Sequence, residues 1–228
     1  MIYVIGDSHS SLFNGYDGKK GHFIQPQYGY CYKIQNGKFI ILNQPHNPFL
    51  QNDPNFTAIR TGPNTAYNMI TKTGMVDEII KEYKICKEKD YILFVYGEID
   101  TRMHIGKQEE LGRNVRGVIN EITDRYFNFV KKYKNEGYNV LVWGVPPSGI
   151  SDNKAHHLYN SPKKRNVLSK LMNEQFNNRC EALDINFISI WDNIVSEGDY
   201  YHYFQDAIHL SYVACKDLIN QKLKSYYE

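Results

Sequence analysis

The chain lacks most of the features that assign a protein at a glance. Its 228 residues hold four cysteines, Cys31, Cys86, Cys180 and Cys215, too scattered for any Cys-x-x-Cys pair. That spacing excludes the usual zinc sites and dithiol redox motifs. A chain of this length needs no disulfide staples, so free thiols in a reducing compartment are expected. Long apolar runs are missing too. The first, Ile2 to Ile5, is far too short for a signal peptide or a membrane span, so the expectation is a cytoplasmic protein without a membrane partner. There is little excess charge of either sign, with 27 Lys and Arg against 25 Asp and Glu, which gives no case for nucleic acid as a partner. The one basic run, Lys163-Lys164-Arg165, reads as the solvated start of a helix. No internal repeat, low-complexity tract or convincing linker breaks the sequence.

What is present is an alternation of strand and helix signals. Hydrophobic residues make up 42% of the chain, enough for a substantial core at this size. Ile2 to Ile5, ended by Gly6, suits a buried strand. Tyr30 to Ile34 and Phe39 to Leu42 flank Asn36-Gly37 as a hairpin. Further strands are predicted at Tyr91 to Tyr96, Asn139 to Trp143 and Asn186 to Ile190. Helices are predicted at Thr65 to Lys72, Val76 to Lys87, Leu111 to Lys134, Ser161 to Leu183 and Leu210 to Tyr226. Such an order implies a mostly parallel sheet with helices on both faces. Residues 14 to 62 carry the weakest periodicity and read as an elaborated insertion on a single domain spanning 1–228.

Parallel sheets bind ligands at the carboxyl ends of their strands, so the residues just after each strand matter most. Gly6-Asp7-Ser8-His9-Ser10 follows the first strand. A serine on a tight strand-to-helix turn can expose its hydroxyl beside backbone N–H groups suited to an oxyanion. The sequence is not Gly-x-Ser-x-Gly, and Asp7 or Ser8 could equally cap a helix. Near the other end, Asp206-Ala207-Ile208-His209 precedes the last helix. An Asp and a His three apart on a loop can converge, the carboxylate orienting the imidazole and stabilising its cation.

Together these segments resemble the GDSL/SGNH hydrolase superfamily. The resemblance implies a three-layer α/β/α fold of flavodoxin-like type, with a parallel sheet of about five strands. It implies Ser8 as nucleophile, His209 as base, Asp206 as its orienting carboxylate and Gly62 as an oxyanion N–H donor, with no cofactor and no metal. Its third block, Gly-x-Asn-Asp, is altered here to Gly97-Glu98-Ile99-Asp100. Ile99 stands where an oxyanion-donating Asn belongs, and the Asn64 side chain or the Arg102 guanidinium are the candidate replacements. The variant looks like SGNH-like proteins of glycan biosynthesis loci. If this segment is extended, Glu98, Asp100, Arg102 and His104 share one face. They then form either an ion-paired loop or a substrate-facing group.

Three functions fit these residues. One is an esterase acting on a small-molecule or glycan ester through an acyl-enzyme. Another is an O-acyltransferase sharing that first step. The third is a glycan-binding module that has lost catalysis. A further reading takes Asp7 and His9 as the Asp-x-His of a metallophosphoesterase, but the other motifs of that class are missing. His156-His157 and His202 have no metal-site setting, and aromatic residues such as Trp143, Trp191 and Tyr159 suit core packing more than sugar stacking.

Overall fold

The computed structural model describes residues 1–14, 32–41, 54–149 and 159–228. Five parallel strands make the main sheet: β1 (Ile2–Gly6), β4 (Phe56–Arg60), β5 (Tyr91–Val95), β6 (Asn139–Trp143) and β7 (Asn186–Ile188). Their spatial order is β4-β1-β5-β6-β7. This is the flavodoxin-like order, in which the chain reverses direction across the sheet between β1 and β5. That switch point opens a crevice at the carboxyl ends of β1 and β5. A separate antiparallel hairpin pairs β2 (Tyr32–Gln35) with β3 (Lys38–Ile41) through Asn36 and Gly37, both at positive φ, as a two-residue turn of this type requires.

Strand residues alternate between two cores. Ile5, Ile59, Ile92, Phe94, Val140 and Val142 face one helical layer. It is built from α1 (Thr73–Glu82), α3 (Val115–Asn135) and α4 (Pro162–Ala182). Val4, Ala58, Leu93, Val95, Leu141 and Trp143 face the other, formed by a 3-10 helix at Ser8–Asn14, α5 (Trp191–Val195) and α6 (Tyr212–Leu223). The two-residue period of a strand produces this division. Each fully buried side chain of this kind contributes roughly 1.5–3 kcal/mol. The result is a three-layer α/β/α fold.

Several sequence expectations change. Phe56–Arg60 is a strand of the main sheet and pairs with β1, so the residues around 14–62 are not all an insertion. Its five residues include Thr57 and Arg60, and that weak apolar signal hid the strand. The helix expected over Leu111 to Lys134 starts later, as α3 at Val115, because Gly112 takes φ +80° and Asn114 caps α3 by accepting from the Gly117 N–H; a separate short helix, α2 (Ile105–Glu110), precedes it. The basic run does open α4, but Arg165 is not solvated. It is buried, with Nε donating to Ser148 Oγ at 2.8 Å and Nη1 to the Asn160 carbonyl at 2.6 Å. His156 and His157 lie outside the described residues. No helix among the described residues is long and apolar enough to cross a membrane.

Candidate active site

Gly6 ends β1 where the backbone crosses close to β5. A Cβ there would lie 2.5 Å from the Val95 carbonyl oxygen, so no other residue fits without displacing backbone. The chain then turns directly into the Ser8–Asn14 helix, which leaves Ser8 at the carboxyl edge of the sheet. Asp206 closes the opposite turn: its Oδ1 accepts from the N–H groups of Ile208 and His209, both at 2.7 Å. That turn aims the His209 ring at Ser8. Nε2 of His209 lies 2.9 Å from Ser8 Oγ, and Nδ1 lies 2.8 Å from Asp206 Oδ2.

One tautomer satisfies both contacts. A carboxylate only accepts, so Nδ1 carries the proton, and Nε2 presents its lone pair to the serine hydroxyl. Burial opposes ionisation of Asp206. The bonds from the His209 ring and from the two backbone N–H groups outweigh it and hold the carboxyl well below the usual range.

Gly62 follows β4 on the other side of Ser8. Thr61 ties the two turns together, donating to the Gly6 carbonyl from N at 2.7 Å and from Oγ1 at 2.9 Å. Gly62 then takes φ +89°, a left-handed conformation natural to glycine. The N–H groups of Ser8 and Gly62 make no backbone hydrogen bond among the described residues. The Asn64 amide nitrogen donates to the Thr61 carbonyl at 2.7 Å, which anchors it beside Gly62 and leaves its second hydrogen for another acceptor.

The variant third block is not extended. Glu98 to His104 is helical, with a π-helical turn at Asp100–His104, so its side chains divide into pairs four residues apart. Arg102 Nε donates to both Glu98 oxygens, at 2.8 and 3.1 Å. Asp100 is removed from the candidate substrate-binding group. It is fully buried and accepts from the N–H groups of Ala66 at 2.7 Å and Tyr67 at 3.4 Å. These are the first N–H groups of the 3-10 helix at Ala66–Thr71, whose N-cap residue is Thr65, so the carboxylate supplements that cap, with His104 Nδ1 3.6 Å away. Burial raises its pKa against the bonds from His104 and Ala66.

His9 is the neighbour that sequence reasoning weighed only as a metal ligand. It is buried, and its ring centroid lies 4.9 Å from that of His209. Asp7 Oδ1 accepts from the His9 N–H at 2.8 Å and faces His9 Nδ1 at 3.2 Å. Asp7 and His9 are thus engaged with each other, and no group of three or more metal-ligating side chains converges among the described residues. The adjacency of His9 to Ser8 was the available signal for its place here. A cleft of about 530 Å³ along β7, lined by Asn173, Phe187, Trp191 and Tyr226 among others, includes no residue of the Ser8–His209–Asp206 chain. The small recess beside the two histidines, closed by Leu12, Trp143, Pro146 and Leu210, measures about 10 Å³.

No family profile matches the sequence, and no curated protein matches it. Solved structures do match in shape. A putative platelet activating factor from Streptococcus pneumonia aligns over 100% of this chain and 83% of its own, with TM-score 0.57 at 15% identity. The lipase/acylhydrolase from Enterococcus faecalis aligns over 100% and 97%, with TM-score 0.53 at 14% identity. A variant of an acetyl-xylooligosaccharide esterase from Geobacillus Stearmophilus aligns over 99% and 93%, with TM-score 0.54 at 14% identity. At these identities the likeness concerns the fold, and the strand order, the layers and these neighbours agree: the chain has the fold of the GDSL/SGNH hydrolases.

Proposed function

We propose that the chain is a serine esterase that cleaves a small-molecule or glycan ester through an acyl-enzyme on Ser8. The observation that carries this reading is the unbroken hydrogen-bonded chain from Ser8 Oγ through both ring nitrogens of His209 to Asp206. The esterase and the acylhydrolase among the structures sharing the fold support it.

In this mechanism His209 Nε2 takes the hydroxyl proton as Ser8 Oγ bonds to the ester carbonyl carbon. The carbonyl π electrons move onto oxygen, and the backbone N–H groups of Ser8 and Gly62 receive the oxyanion. Asn64 supplies the third donor in place of the Asn that Ile99 has replaced, since Arg102 is directed onto Glu98. Collapse of the tetrahedral intermediate breaks the bond to the alcohol oxygen, which leaves with the proton from His209. Water then repeats the sequence on the acyl-enzyme with His209 again as base, releasing the acid and restoring Ser8.

Labelling with a fluorophosphonate probe, followed by peptide mapping, tests the assignment. Modification of Ser8, absent in Ser8→Ala, is the expected result. No labelling, or labelling elsewhere, refutes it.

A further inference from the structure

The two neighbouring histidines have opposite hydrogen-bonding requirements. His209 faces one acceptor and one hydroxyl, which suits a neutral ring with a single N–H. His9 faces acceptors on both sides: Nδ1 lies 3.2 Å from Asp7 Oδ1, and Nε2 lies 3.4 Å from the Ile208 carbonyl oxygen. A neutral imidazole has one N–H and can serve only one of them, while an imidazolium has two and serves both.

The surrounding charges favour the same form. Asp7 and Glu98 are buried carboxylates beside the ring, Glu98 Oε2 being 4.0 Å from Nδ1, and Arg102 is the cation paired with Glu98. A proton on His9 brings this group to neutrality, and uncompensated buried charge is costly. Asp7 Oδ2 is also buried without a hydrogen-bond partner among the described residues, so Asp7 depends on the ring for its compensation. The recess that the ring borders is lined otherwise by His209 and the non-ionising Ser11, Leu12, Trp143, Pro146 and Leu210. Burial opposes the charge on His9 and Arg102 repels it, but the Asp7 hydrogen bond and the two carboxylates prevail and raise its pKa.

We propose that His9, held as an imidazolium, is a positioning residue that clasps the nucleophile turn to the base-bearing loop. The clasp runs from Asp7, which precedes Ser8, through the ring to the carbonyl of Ile208, which precedes His209. It rests on the roles proposed for Ser8 and His209. Losing the proton removes one of the two bonds, whichever tautomer remains, and frees the Ser8–His209 distance to drift. A misplacement of that order costs about tenfold to a hundredfold in rate.

The test uses the full chain with His9→Gln and His9→Phe, checked for folding by thermal unfolding. The readouts are kcat and KM on a chromogenic acetyl ester from acid to alkaline pH. In the parent protein kcat should fall on the alkaline side as His9 loses its proton, with KM nearly constant. Each variant should lose about tenfold to a hundredfold in kcat near neutrality and lack that alkaline fall. Nitrogen-15 NMR of the rings in Ser8→Ala gives a readout independent of catalysis: His9 should be protonated on both nitrogens at neutral pH. A neutral His9 ring, or variants that keep the parent kcat and pH profile, overturns the clasp. Failure of the parent to cleave esters or to label at Ser8 refutes the nucleophile assignment instead, and the ring spectrum still decides the protonation of His9.

Discussion

Thr61 gives the Gly6 carbonyl oxygen two hydrogen bonds, from its N–H and from its hydroxyl, and the same hydroxyl lies 2.9 Å from Tyr96 OH. Gly6 leads to Ser8 and Thr61 leads to Gly62, so this contact sets the spacing of the two proposed oxyanion donors. Thr61→Val keeps the shape but strips the hydroxyl, removing one of the two bonds to the Gly6 carbonyl and the contact with the Tyr96 phenol. The expected cost is about 0.5–1.5 kcal/mol of stability, the usual worth of a lost intramolecular hydrogen bond, measured by urea unfolding. Ester cleavage should weaken through kcat more than KM.

Ser8→Ala and His209→Ala should each abolish nearly all ester cleavage, and the double variant should be little worse, because the pair acts as a unit. Asp206→Asn should be comparable or milder, since the base remains and only its orientation and charge partner change. Chelators should leave the rate unaltered. Restoration of activity only by divalent cations would return Asp7 and His9 to consideration as metal ligands.

The third oxyanion donor separates by substitution. Asn64→Ala should lower kcat by roughly 10²- to 10³-fold, with Arg102→Lys close to the parent enzyme. The reverse pattern would give the role to the Arg102 guanidinium, whose planar fork lysine cannot reproduce.

Asp100→Asn should leave ester cleavage intact, because the buried carboxylate is engaged with the Ala66 and Tyr67 N–H groups. An Asn oxygen can still accept from the Ala66 N–H. Asp100→Ala leaves that buried donor unpaired and should cost about 1–3 kcal/mol in urea unfolding. A large kcat loss in Asp100→Asn with unchanged stability would contradict the capping role.

Two groups give stability opposite pH dependences. The Asp206 carboxyl has its pKa depressed in the folded protein. Its contribution is therefore present above the unfolded value, about 3.9, and is lost as pH falls through the folded value. The side chain is 48% exposed, so screening keeps this contribution small. His9 has its pKa raised. Its contribution is complete below the unfolded value, about 6.5, and is lost as pH climbs through the higher folded value. Denaturant midpoints across pH for Asp206→Asn and His9→Gln should each lack the corresponding slope.

Much of this arrangement was legible in the sequence, and the exceptions have physical causes. Asn139–Trp143 reads as a strand because every residue after Asn139 is apolar and two of them, Val140 and Val142, are β-branched. Phe56–Arg60 does not, because an edge strand such as β4 buries only part of its length and tolerates Thr57 and Arg60. Ser8, Asp206 and His209 stand out because local turns place each of them, and turn chemistry is written in adjacent residues. The third block could be drawn as extended because its polar residues fall at every second position. That pattern also permits i,i+4 pairs on a helix, and only the contacts of Asp100 with Ala66 and Tyr67 decide between the two. His9 went unread as a positioning group because its partner carbonyl belongs to Ile208, 199 residues away.

The order of the strands also governs when the site can exist during synthesis. Ser8 is made before either neighbour of its strand, because β1 lies between β4 and β5 and has both only after Val95 has emerged. His209 follows 201 residues behind Ser8. The nascent chain therefore carries Ser8 without its proposed base until the residues around His209 have been made. A chain released before that point holds the proposed nucleophile without the means to use it.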